Sequence, residues 1–113
     1  MAETRADTEG IAVRLEPDGR RLVVAGELDL ATGAVLAAAL TDVVDRPLPC
    51  ELLMDVSAVT FADVAGLRAL ARVVRLLAAD GCSVHVVGMR AAIRRAVDLV
   101  AFDDLSEALD DWP

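Results

Sequence analysis

A hydrophobic period that switches back and forth along the chain constrains its fold more than any other feature. Glu51-Leu52-Leu53-Met54-Asp55-Val56 is a compact apolar run with the length of an interior strand. From about Val64 to Ala79 the apolar residues fall at helical spacing instead, and Asp80-Gly81 gives that segment a C-terminal stop. Ser83-Val84-His85-Val86-Val87 returns to a strand, which Gly88 ends. Met89 to Val100 reads as a helix buried through Ile93, Ala96, Val97 and Val100, and a short helix from about Ser106 to Asp110 closes the chain.

The N-terminal part has a different rhythm. Residues 1–9 read as a flexible tail. Ile11-Ala12-Val13-Arg14-Leu15-Glu16 alternates apolar and polar, as a half-buried strand does. Pro17-Asp18-Gly19 is turn chemistry, and Arg21-Leu22-Val23-Val24-Ala25-Gly26 reads as a second strand, so the two form an antiparallel hairpin. Thr32 is a suitable N-cap for a helix to about Val44, with Leu36, Ala39, Leu40 and Val43 on one face. Arg46-Pro47-Leu48-Pro49 then breaks the chain. The order β-β-α-β-α-β-α-α predicts one α/β domain over residues 10–113, a mixed sheet of four to five strands with about four helices packed against it.

Composition narrows the function. The chain has 113 residues and a net charge of −8, and every basic residue is Arg. Nucleic-acid binding needs a basic footprint, which this balance does not offer. No apolar stretch is long enough to span a membrane, and the first residues are polar rather than signal-like, so no membrane insertion and a cytoplasmic location are expected. Without Lys there is no P-loop; neither GxGxxG nor GxSxG occurs. His85 stands alone in mid-strand and reads as structural. The acidic residues Asp103, Asp104, Glu107, Asp110 and Asp111 read as a solvated surface or an acidic patch facing a partner. Asp55 closes a central strand, where a receiver domain would carry its phosphoacceptor, but the accompanying Lys and acidic pair are missing, so it reads as a polar strand terminus or loop anchor. Cys50 and Cys82 have no metal-ligand spacing; they are two reduced thiols or a possible redox pair. No enzyme, metal or cofactor is expected.

The informative stretch is Asp55 to Leu67, which links a buried strand to a helix through a short loop. Asp63 is placed to cap a helix, with Val64, Ala65 and Gly66 filling its first turn. Gly66 is a poor helix former, which implies close approach of another backbone, either of a partner or of this domain's own sheet. At about 100° per residue, Leu67, Leu70, Ala71, Val74 and Ala78 make the core face. Arg68, Arg72 and Arg75 form a flank, and Ala65, Ala69, Val73 and Leu76 lie away from that core. An apolar strip there is either a docking surface or the seat of another helix of the same domain.

Gly26-Glu27-Leu28-Asp29, the strand Leu52-Leu53-Met54-Asp55-Val56-Ser57, and Val59-Thr60-Phe61-Ala62-Asp63-Val64-Ala65-Gly66-Leu67 together resemble a STAS domain of the anti-sigma-factor antagonist family. The likeness runs from about Ile11 to Leu109. It implies a STAS-like fold and a partner-switching role. The antagonist binds an anti-sigma factor with a histidine-kinase-like ATPase fold and so frees a sigma factor. In the family the kinase phosphorylates a Ser in an Asp-Ser-Ser-Gly pattern, and a serine phosphatase reverses it. Here the pattern is Asp63-Val64-Ala65-Gly66, so Ala65 stands at a degenerate phosphoacceptor position. The resemblance and the apolar strip of the second helix together place partner contacts at Asp29, Thr60, Phe61, Asp63, Val64, Ala65, Gly66, Ala69, Arg72, Val73 and Leu76. Other relatives are regulatory subunits of lipid-transport ABC systems or members of stress-sensing complexes, and those remain alternatives. Ser57 and Thr60 lie near the lost serine, as substitute phosphoacceptors or as loop anchors.

Overall fold

Strand-forming and helix-forming segments alternate in the computed structural model much as the period predicts. It describes residues 5–8, 10–44 and 51–99, with side chains described for 10–40 and 51–99. In chain order the elements are β1 (Arg5–Thr8), β2 (Ile11–Leu15), β3 (Arg21–Leu28), α1 (Leu30–Val44), β4 (Glu51–Ala62), α2 (Val64–Ala79), β5 (Ser83–Val87) and α3 (Ala91–Leu99). The sheet has five strands in the spatial order β1-β2-β3-β4-β5. The first two pairings are antiparallel; β3 with β4 and β4 with β5 are parallel. Parallel neighbours need crossovers, and α1 and α2 supply them.

The core follows from the period of two. Ile11, Val13 and Leu15, then Leu22 and Val24, then Leu52, Met54 and Val56, then Val84 and Val86 are all buried at alternate positions. They pack with Leu36 and Leu40 of α1, Leu67, Leu70 and Leu77 of α2, and Ile93 and Val97 of α3 in one aliphatic cluster. With almost no aromatic rings to fill it, the core is closed by many branched side chains of similar size.

Four readings are corrected. Arg5–Thr8 lies within the expected tail yet forms a strand, because an edge strand gains its ladder hydrogen bonds without an apolar pattern. The stretch from Ser57 to Ala62 extends β4 rather than looping out. Two register shifts in the β3–β4 pairing absorb its extra residues, so inward positions pass from Val56 to Val59. Asp55 is therefore inside a strand, not at its end. The N-cap of α1 is Asp29, not Thr32: the Asp29 carboxylate accepts from Thr32 N–H at 2.9 Å, while Thr32 Oγ1 accepts from Asp29 N–H at 2.8 Å. Three helices stand among the described residues. The expected helix at 106–110, Val100 and the acidic residues from Asp103 onward lie outside them; Val43 falls within α1, at a position whose side chain is not among those described.

Candidate functional site

The site starts from two helix caps. The Asp63 carboxylate accepts from Gly66 N–H at 2.8 Å, fixing the first turn of α2. Asp63 N–H in turn donates to the Leu28 carbonyl at 3.0 Å. Gly66 lies against the same peptide: a Cβ there would sit 2.2 Å from Leu28 O and 2.8 Å from Asp29 N. The start of α2 is thus pressed onto the junction of β3 and α1, where Asp29 caps the neighbouring helix. Two helix N-termini stand side by side beyond the carboxyl ends of two adjacent parallel strands, where open α/β sheets place their binding crevices. The Thr32 amide hydrogen bond, aided by the Thr32 hydroxyl and against some desolvation, holds the Asp29 carboxyl below its usual pKa.

Around these caps the surface is apolar. Leu30 is 79% exposed, Phe61 51% and Val64 46%. Large hydrophobic side chains left this open on one corner of a small domain are the anatomy of a docking surface. Below them runs an open groove of about 320 Å³ between α1 and α2. Leu30, Gly33, Ala34 and Ala37 form one wall; Ala65, Arg68, Ala69 and Arg72 form the other. Small residues let the two helices approach closely here. A Cβ on Gly33 would come 2.7 Å from the Ala69 Cβ.

The structure sorts the expected contact residues. Phe61, Asp63, Val64, Ala65, Ala69 and Arg72 come together at the cap and the groove. Thr60 is exposed, its Oγ1 donating to the Gly26 carbonyl at 3.3 Å. Leu76 is exposed about one turn beyond Arg72, the groove's last α2 residue. Gly66 and Val73 are corrections. Gly66 is buried by this domain's own Leu28–Asp29 backbone, and Val73 is 1% exposed within the core cluster because α1 packs along that flank of α2. Leu77 takes the inward place expected of Ala78, which is exposed.

Leu30 was absent from the sequence expectations, as were the α1 wall residues Gly33, Ala34 and Ala37. A leucine directly after an Asp cap, six residues ahead of the core face at Leu36, was the available signal.

Other candidates stay apart from the groove. Asp55 is buried and accepts from Ser57 N–H at 2.9 Å, from Ser57 Oγ at 2.7 Å and from the Arg21 guanidinium. Burial works against its ionisation, but the Ser57 and Arg21 hydrogen bonds outweigh it and hold its pKa below the usual value. That is an anchoring role, as expected, and it occupies the Ser57 hydroxyl. His85 Nε2 lies 2.8 Å from Glu51 Oε1 across the β4–β5 pair. Cys82 is a buried thiol; Cys50 lies outside the described residues. Among the described residues no cluster of His, Cys, Asp and Glu could hold a metal ion, and no helix is long and apolar enough to cross a membrane.

Comparison with known proteins fits this architecture. No curated protein matches the chain. An anti-sigma-factor antagonist STAS domain from Rhodobacter sphaeroides is 29% identical, with a TM-score of 0.56, over 71% of this chain and 86% of that one. An anti-sigma factor antagonist from Mycobacterium paratuberculosis is 28% identical, with a TM-score of 0.63, over 98% of this chain and 86% of that one. The family model described as "Mlab, STAS domain" matches residues 11–109. The fold, the capped strand–helix junction and this match over nearly the whole length lead to one conclusion: the chain belongs to the STAS domain family.

Proposed function

We propose that the chain is an anti-sigma-factor antagonist that docks a kinase-like anti-sigma factor through the cap-and-groove surface and so releases a sigma factor. The observation that carries this reading is the exposure of Leu30, Phe61 and Val64 at the starts of α1 and α2, where Ala65 lines the groove. Both antagonists of known structure named above support it. The working residues are Leu30, Thr60, Phe61, Val64, Ala65, Ala69, Arg72 and Leu76. Asp29 and Asp63 hold the two helix starts in place.

Ala65 sets the regulation. It is the second residue of α2 and lines the groove. A phosphate there would add nearly two negative charges at a helix N-terminus, where anions are tolerated, so it would act by obstructing the partner and not by unfolding the helix. Ala65 has no oxygen to modify, and a serine phosphatase would have no substrate at this position. The antagonist is therefore constitutively competent to bind.

The test is calorimetric titration of the kinase-like anti-sigma factors of the source genome with the chain and its Ala65→Ser variant, with ADP or ATP. Binding by both, weakened by ATP only for the variant and accompanied by its phosphorylation, is the expected result. Failure of both to bind any such factor contradicts the reading.

A second reading has its own support in the description of the matching family model, Mlab. In it the same surface docks the ATPase of a lipid-transport ABC system. Co-purification with an ABC ATPase, lost in Ala65→Arg, would favour it.

A further inference from the structure

We propose that the groove between α1 and α2 receives an acidic amphipathic segment of the partner protein, with an aliphatic side chain over the alanine floor and carboxylates on Arg68 and Arg72. This inference rests on the docking reading of the same surface and names the chemistry of what docks.

The floor selects an apolar group. Gly33, Ala34, Ala37, Ala65 and Ala69 carry no polar side-chain atom, so anything inserted there must satisfy its own hydrogen bonds or have none to satisfy. The volume of about 320 Å³ is open along one side, which suits side chains projecting from a passing segment.

The rim selects negative charge. Arg68 and Arg72 are both exposed, and neither makes an ion pair or side-chain hydrogen bond with any described residue. They stand four residues apart on one helix face, and no acidic residue occupies the positions three or four away on α2 that would neutralise them. Like charges at that spacing disfavour the helix, so the arrangement gains nothing for the isolated domain. The surrounding chain carries a net charge of −8, and two uncompensated cations beside an apolar slot reverse its sign locally. An acidic partner is repelled by most of this surface and steered to the groove. Guanidinium forks match carboxylates in geometry and can hold them bidentately. A nucleic acid would meet the same repulsion with no wider basic surface to offset it.

The experiment is amide NMR of the full chain titrated with three peptides on one leucine-bearing amphipathic frame, their polar positions being Glu, Gln or Lys. The Glu peptide is expected to shift Ala34, Ala37, Ala65 and Ala69 and to bind about tenfold more tightly than the Lys peptide at low salt, as two modest ion pairs allow. Salt should narrow that gap. The double variant Arg68→Glu/Arg72→Glu, exposed and checked by its thermal melt, should reverse the preference. Equal shifts from all three peptides, no shift from the Glu peptide, or shifts outside the groove overturn the inference. The anti-sigma factor separates the two ideas. If it binds the wild type and the double variant equally, the inference fails and the docking reading stands. If it binds neither while the Glu peptide still fills the groove, the sigma-factor reading fails and the groove's chemistry stands.

Discussion

Gly66 meets Leu28 so closely that a methyl group on its Cα would lie 2.2 Å from the Leu28 carbonyl oxygen. This contact binds the start of α2 to the end of β3 and keeps the Asp63 and Asp29 caps side by side. In an ordinary helix, Gly→Ala gains about 1 kcal/mol from propensity. Here the sign should reverse, since the added Cβ must displace backbone. Gly66→Ala is expected to lower stability by about 1–3 kcal/mol, read from the urea midpoint. A gain in stability would mean the contact is looser than described.

The Asp63 cap should be separable from the docking chemistry. Asp63→Ala removes the acceptor for Gly66 N–H and should cost about 1 kcal/mol, whereas Asp63→Asn should cost much less because it still caps. Equal losses in thermal melts of the two variants would point to a role for the charge itself.

Val73 and Leu76 make a contrasting pair on one helix. Val73 is buried beneath α1, so Val73→Ala should destabilise by about 2 kcal/mol through lost methyl burial and a small cavity. Leu76 is 53% exposed, and Leu76→Ala should stay within about 0.5 kcal/mol of the wild type while weakening partner binding. Chemical denaturation and a binding assay on both variants check the pair.

These two residues show where the sequence stops being readable. A helical wheel for α2 gives directions, but not which direction a second helix will cover. Val73 and Leu76 therefore look alike in sequence, and only the packing of α1 separates them. The strands β2, β3 and β5 and the helix α2 were legible because burial on one face imposes a period. β1 was not, since Arg5-Ala6-Asp7-Thr8 carries no alternating apolar pattern, yet it pairs with β2. Nor was the far half of β4, where two register shifts break the alternation. At α1, Asp29 and Thr32 both suit a cap, and only their reciprocal hydrogen bonds identify Asp29. Gly66 was recognisable as a close approach, but its neighbour, Leu28, is a tertiary fact. Leu30 was missed because it belongs to no buried face.

Asp55 should leave a signature in acid. Its folded-state pKa is held below the unfolded value, so its contribution is present above the ordinary carboxylate range, near pH 4, and is lost as pH falls through the depressed value. The stability advantage of the wild type over Asp55→Asn should therefore shrink as pH drops from neutral to about 2 in urea denaturation. An advantage that grows towards low pH would contradict this sign.

The most direct test of the proposed role is release of a sigma factor from its preformed complex with the kinase-like anti-sigma factor, followed by fluorescence anisotropy of labelled sigma. The wild-type chain should release sigma in proportion to its concentration and continue to do so with ATP present. Ala65→Arg, folded by its thermal melt but obstructed at the groove, should release little. If the wild type releases no sigma the antagonist reading is contradicted, and if wild type and variant are equally active the cap-and-groove surface is not where this domain engages its partner.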